Sequence, residues 1–167
     1  MAKNSILDFD LGSWVFPVST ASKEAQHLFD LGLNWCFGFN QDEGLACFKA
    51  AAALDPQCAM LHWGIAYASG PFYNMPWCDF GEIEASECTA FCRGHTDKAL
   101  ALSGTATALE IALIDALAQR IQKPHPVSRE EFDRWDDAYA DAMRKINEEF
   151  PDNLDVMAFF AEAMMTR

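Results

Sequence analysis

The sequence predicts an all-α fold, an array of about six to seven helices in hairpin pairs preceded by an extended N-terminal arm. Three observations carry that expectation. Apolar residues recur at intervals of three and four through most of the chain, the spacing that lays one face of a helix on a core. Within the first helix pair, Gly32 and Gly44 are small contacts and Trp35 and Phe48 are large fillers, a combination that lets two backbones approach closely. Breakers separate the periodic segments, at Pro56, Gly70-Pro71, Ser103-Gly104, Pro124, Pro126 and Pro151.

Residues 1–21 are read as the arm, because Phe9, Leu11, Trp14, Val15, Phe16 and Pro17 show no helical spacing. Its aromatics are expected to dock on the helical domain, residues 22–167. Thr20 or Ser22 can cap a first helix carrying Ala25, Leu28, Phe29, Gly32, Trp35 and Cys36. Asn40-Gln41 turns the chain into a second helix with Leu45, Phe48, Ala51, Ala52 and Leu54. Pro56 suits the first turn of a third, where its missing N–H is not needed, and that helix runs through Ala59, Trp63, Ala66 and Tyr67.

Gly70-Pro71 ends the third helix, and residues 70–79, with Phe72, Tyr73, Met75, Pro76 and Trp77, hold too many breakers to stay helical. A loop of this length on a minimal hairpin is either functional or pinned by its aromatics. A longer helix follows over about 82–102, with Gly94 as its weak point. Thr105 can cap a strongly apolar helix over 106–121, and residues 123–126 form a linker. Ser128 and Glu131 have capping-box spacing, opening a helix that runs to about Phe150. Pro151-Asp152-Asn153 then turns into a last helix over 154–165.

With 51% hydrophobic and 22% charged residues, the chain has the composition of a globular domain rather than a disordered one. A net charge of −13, from 12 basic and 25 acidic side chains, disfavours phosphate backbones and anionic membrane surfaces and favours a basic protein or peptide partner. No apolar run approaches the roughly 20 residues that span a bilayer. Residues 1–20 lack the basic start and apolar stretch of a secretory leader, so the expected location is cytoplasmic. Six cysteines, at 36, 47, 58, 78, 88 and 92, then read mainly as small apolar residues rather than a disulfide set.

Three groupings could carry chemistry. Cys88, Cys92 and His95 fall at i, i+4 and i+7 on one helix, ligands that suit Zn or Cu(I). The other reading of the same residues is packing, since no fourth ligand besides Cys78 is near. His62, beside Trp63, could form a polar pocket with Tyr73 and Asn74, or be a hydrogen-bonded core histidine. Asp133, Asp136, Asp137 and Asp141 share a helix face with Mg-site spacing, but interspersed Arg134, Arg144 and Lys145 favour a solvated acidic face.

Setting Pro151 on Pro56 places Met143 over Phe48, Met157 over His62 and Ala161 over Ala66, a degenerate second copy of the hairpin junction. In that copy Met157, Phe160 and Met164 form an apolar stripe on a helix with no following partner. The stripe is expected to be covered by a second copy of the chain, or by later repeats that this sequence lacks.

Longer strings add a resemblance. Leu11-Gly12 with Val18-Ser19-Thr20, Phe39-Asn40-Gln41, Asp55-Pro56-Gln57-Cys58-Ala59-Met60, Trp63-Gly64-Ile65-Ala66 and Gly70-Pro71-Phe72-Tyr73-Asn74 with Pro76-Trp77 are the first of them. Leu154-Asp155-Val156 and Ala161-Glu162-Ala163-Met164-Met165 complete the set. Over residues 11–77 and 105–165 the chain resembles the N-terminal portion of a group of TPR-like (tetratricopeptide repeat) proteins of bacteria and fungi. That resemblance implies a hairpin solenoid and no particular reaction. The chain departs from the group at two positions, with Gln41 where histidine is usual and Phe72 where asparagine is usual.

The function expected from these readings is a non-catalytic interaction module without a cofactor. Its concave acidic groove would be lined by His27, Asp30, Asn34, His62 and Tyr67, with Tyr73, Asn74 and Trp77 at one end. The alternative is an enzyme-like small-molecule or metal site at the Gly70 to Trp77 loop with His62.

Overall fold

In the computed structural model, which describes residues 10–167, most helices begin where a side chain takes over a free backbone N–H. Ser22 accepts from Ala25 N at the head of α1 (Lys23–Phe37), and Asn40 accepts from Glu43 N at the head of α2 (Gln41–Leu54). Thr107 and Glu110 form a reciprocal capping box on α5 (Ala108–Arg120), Ser128 caps α6 (Arg129–Glu149), and Asn153 caps α7 (Leu154–Met165). Between them lie α3 (Ala59–Ser69) and α4 (Glu82–Leu102), and no strand occurs among the described residues. The fold is all-α, as the sequence predicts.

Three expected details shift. Thr107, not Thr105, caps α5, because residues 103–105 tighten into a 3-10 turn that continues from α4. Pro56 stays in the turn before α3, whose cap is Cys58. Trp35 is only half-buried and does not fill the core. Gly94 leaves α4 unbroken, and Phe9 lies outside the described residues.

Helices α1 and α2 pack as one antiparallel hairpin, α3 and α4 as a second, and α5 and α6 as a third. The closeness of the first two depends on glycines around one ring. A Cβ on Gly32 of α1 would lie 2.6 Å from Phe48 Cε1, and a Cβ on Gly64 of α3 would lie 2.5 Å from Phe48 Cδ1. Phe48, on α2, is fully buried between them. Gly44 has the same role between α2 and α1, where its Cβ would stand 2.9 Å from the Gly32 carbonyl oxygen. Gly32 and Gly44 are therefore the close contacts that the sequence predicts, and Gly64 is a third.

The described part of the arm, residues 10–22, forms no helix and straps the array together through its backbone. Phe16 N donates to Asp30 Oδ1 at 3.0 Å, and Val18 N donates to Gln26 Oε1 at 2.9 Å, both on α1. Ser19 donates through backbone and hydroxyl to buried Glu110 at the head of α5, 2.6 Å in each case. Trp14 Nε1 reaches Asp155 on α7 at 2.9 Å. Helix α7 packs on α6 and also folds back on the start of the chain: Phe159 meets Phe16, Phe37, Trp63 and Tyr67 with ring centroids 5.5–6.0 Å apart. The last helix thus closes over α1 and α3.

Adding a methyl at Gly64 forces it into a ring that cannot swing aside. Gly64→Ala is expected to cost about 1–2 kcal/mol, after the roughly 1 kcal/mol that alanine returns as a helix former. The melting temperature should fall by about 3–7 °C. In the Gly64→Ala background Phe48→Leu should cost less than it does alone, a non-additivity read from thermal melts of the four proteins.

Candidate functional site

The loop after α3 is built to hold its first residues in place. Phe72 and Met75 exchange backbone hydrogen bonds of 3.2 and 2.8 Å, closing a tight turn with Tyr73 and Asn74 at its tip. Trp77 then enters a 3-10 turn and is buried, stacked on Phe132 of α6 at 4.2 Å and edge-on to Trp135 at 6.4 Å. The far end of the loop is thereby fixed to α6, while Phe72 and Tyr73 stand over the end of α1 and the side of α7.

Beneath them is a cavity of about 280 Å³, lined mostly by carbon. Phe37 and Phe39 close it from the α1 to α2 turn, Phe72 and Tyr73 from the loop, and Ala158, Ala161 and Met165 from α7. Phe39 has φ of 60°, the left-handed region that a bulky side chain rarely occupies. The strained backbone sets a large, half-exposed side chain on the cavity lining where a turn would ordinarily use glycine or asparagine. A second cavity of about 240 Å³ shares Tyr73 and Met165 and extends to Asp136 and Arg129.

Gln41 and Glu162 are among the polar side chains that line the first cavity. Gln41 donates its amide weakly to the Cys36 carbonyl at 3.5 Å, and its Oε1 is buried with no donor among the described residues. Glu162, the single carboxylate among the carbon-rich residues 156–165, lines the same cavity. Its Oε1 accepts from Arg120 Nη2 at 3.2 Å, and its Oε2 is buried without a donor.

Behind Glu162 lies a charge cluster where α5, α6 and α7 meet. Arg120 is 1% exposed, its guanidinium 4.7 Å from the centre of the Tyr139 ring. Its Nε faces Asp136 Oδ1 at 3.9 Å, an ion pair too long for a hydrogen bond. Burial opposes the Arg120 charge, yet Glu162, Tyr139 and Asp136 hold its pKa above the ordinary arginine value. Burial lifts Asp136 to about 6 despite the attraction of Arg120. It also drives the Tyr67 phenol well above its usual value and the Cys36 thiol to about 12. Both lining groups are therefore neutral at pH 7.

Of the residues expected to line a groove, only Tyr67 and Tyr73 reach this cavity. Asp30 is buried under the arm, its pKa lifted to about 6 by burial against the bonds from Phe16 and Gln26. Asn34 donates to the Asp30 carbonyl at 2.9 Å, His27 is exposed, Asn74 is exposed at the loop tip, and Trp77 is an anchor. His62 is buried against α4, with Nδ1 3.3 Å from His95 Nδ1 and Nε2 3.1 Å from the Pro56 carbonyl. Since that carbonyl can only accept, the proton of His62 sits on Nε2 and His95 donates from Nδ1. Burial, then His62, Lys98 and Lys49, lower His95 to about 4. The arm and α7 therefore cover the α1 and α3 faces where an open groove is expected.

The other expected groupings separate. The Cys88 and Cys92 sulfurs lie 3.8 Å apart while His95 turns to His62, and no three metal-ligating side chains converge among the described residues. Asp133, Asp137 and Asp141 pair individually with Arg129, Arg167 and Arg144, and Asp136 turns inward to Arg120. On α7, Met157 and Met164 remain exposed, whereas Phe160 is half-buried with the Arg144 guanidinium 5.9 Å from its ring centre.

Comparison with family models, curated proteins and solved structures finds no significant match to this chain.

Sequence reading missed Arg120 and Glu162, although both leave a signal. Arg120 follows Leu113 by seven and Leu117 by three, on the buried stripe of α5. Arg120→Met leaves two largely buried carboxylates without their cation, and a loss of about 3 kcal/mol is expected in urea unfolding. Adding Glu162→Gln and Asp136→Asn should recover part of that loss. A change within 1 kcal/mol for Arg120→Met would mean that the cluster is solvated.

Proposed function

We propose that this protein is a helical-hairpin scaffold that binds a small organic molecule in the cavity under the Phe72–Tyr73 turn. The observation that carries this reading is one largely apolar cavity with four aromatic side chains and the Glu162 carboxylate on its lining. Apolar walls with a few polar groups suit an organic body, and a carboxylate favours a molecule that carries donors. Gln41 and Phe72, the two positions at which the chain departs from the TPR-like group it resembles, both line this cavity, which makes them natural determinants of what fits.

Binding accounts for the cavity better than turnover does. The phenol of Tyr67 and the thiol of Cys36 are held in their unreactive neutral forms, and His62 is engaged with His95 away from the cavity. A cytoplasmic location agrees with six cysteines that are all free, five of them buried. No helix among the described residues is long and apolar enough to cross a membrane.

A second reading, protein interaction, draws on a different surface. An open, largely apolar groove of about 770 Å³ runs between α2 and α4, lined by Leu45, Met75, Phe80 and Phe91 together with Glu84, Glu87 and Lys49. A basic amphipathic helix is the partner this groove would fit.

Methionine methyl resonances separate the two readings, because Met165 lines the cavity and Met75 lines the groove. With methyl-labelled methionine, a library of small aromatic compounds is expected to shift Met165 and leave Met75 in place. Ala161→Trp, which fills the cavity, should abolish those shifts. Compounds that move Met75 alone, or that still move Met165 in Ala161→Trp, would contradict the cavity as the site.

A further inference from the structure

Resting on the reading of the cavity as a small-molecule site, we infer that its ligand class is an arylalkyl ammonium, an apolar aromatic body carrying a protonated amine. Four observations converge on that chemistry. Glu162 is the one charged side chain on the lining among the described residues, and it is a carboxylate, so the molecule that complements it brings donors. The charge cluster behind the wall sets Arg120 against Glu162 and Asp136, with Arg129 also acting on Asp136. Arg120 holds one oxygen of Glu162 from behind, and the Glu162 side chain, 20% exposed, is where a ligand's positive charge can sit.

The third observation concerns the walls. Phe37, Phe39, Phe72 and Tyr73 all line the cavity, and aromatic rings attract an ammonium through their quadrupoles and stack on an aromatic body. Fourth, no lysine, arginine or histidine lines it. Arg120 stays behind Glu162 at 1% exposure, so an anionic ligand would find no basic side chain there and would face a carboxylate. The −13 net charge of the whole chain acts in the same direction, raising the local concentration of cations.

The test compares three molecules of one shape and different charge: phenethylammonium, 2-phenylethanol and 3-phenylpropanoate, titrated into the intact protein at pH 7. The readouts are calorimetry and the Met165 methyl shift. Phenethylammonium should bind about tenfold or more tightly than the alcohol, the scale of one charge-assisted hydrogen bond, and the carboxylate should be weakest. Glu162→Gln keeps the oxygen that accepts from Arg120 and removes the charge, so it should erase the preference for the amine while sparing the alcohol. Gln41→Leu, remote from the ion cluster, should weaken the amine several-fold and gives a reading even if Glu162→Gln unfolds.

Equal affinity for amine and alcohol, or an amine preference that survives both substitutions, would overturn the ammonium assignment and leave the cavity reading standing. If none of the three compounds moves Met165 the ammonium class is also wrong. The cavity reading itself falls only if the wider library is silent there too.

Discussion

One aromatic ring sets the spacing of the first two hairpins. Phe48 projects from α2 into a slot that exists because neither Gly32 of α1 nor Gly64 of α3 has a side chain. Everything that positions the cavity descends from that contact. With α1, α2 and α3 nested this closely, Phe48, Phe29 and Trp63 form a continuous aromatic core, their successive ring centroids 5.3 and 6.4 Å apart. Trp63 then reaches α5 through its indole N–H, 3.1 Å from the Leu113 carbonyl. Phe159 seats α7 on the same core, and α7 brings Glu162 to the cavity wall.

Much of this fold is legible in the sequence because it is written in local signals. Breakers and caps mark the ends of α1, α2, α4, α6 and α7, and the glycine and aromatic pairing announces close helix contact. The misread positions have local competitors. Thr105 and Thr107 are two residues apart and chemically equivalent as caps, and only the 3-10 continuation of α4 decides between them. Trp35 sits at a spacing suited to burial, but it follows the turn of the helix to the edge of the first hairpin.

The candidate site was half visible. Residues 70–77 stand out as a loop whose aromatics need a role, and the structure divides those roles: Trp77 anchors, Phe72 and Tyr73 cover, Asn74 faces solvent. What no local pattern announces is the return of α7 across the array, since the contacts of Phe159 with Phe16 and Phe37 join residues more than a hundred positions apart. That return fills the face expected to be an open groove and leaves a smaller, partly open cavity beside it. Arg120 and Glu162 could have been suspected from sequence as charges on apolar stripes. Their partnership could not, because it depends on how α5 and α7 meet.

The central claim is that α7, held by Phe159, brings the Glu162 carboxylate to the wall of a largely apolar cavity where a ligand can meet it. A crystal structure of the protein as purified tests it most directly. Phe159 should lie between Phe16, Phe37, Trp63 and Tyr67, with Arg120 on one oxygen of Glu162 and the part-exposed Glu162 side chain on the cavity wall. An α7 swung away from α1 and α3, or a Glu162 carboxylate fully paired by protein groups or turned into open solvent, would contradict the account.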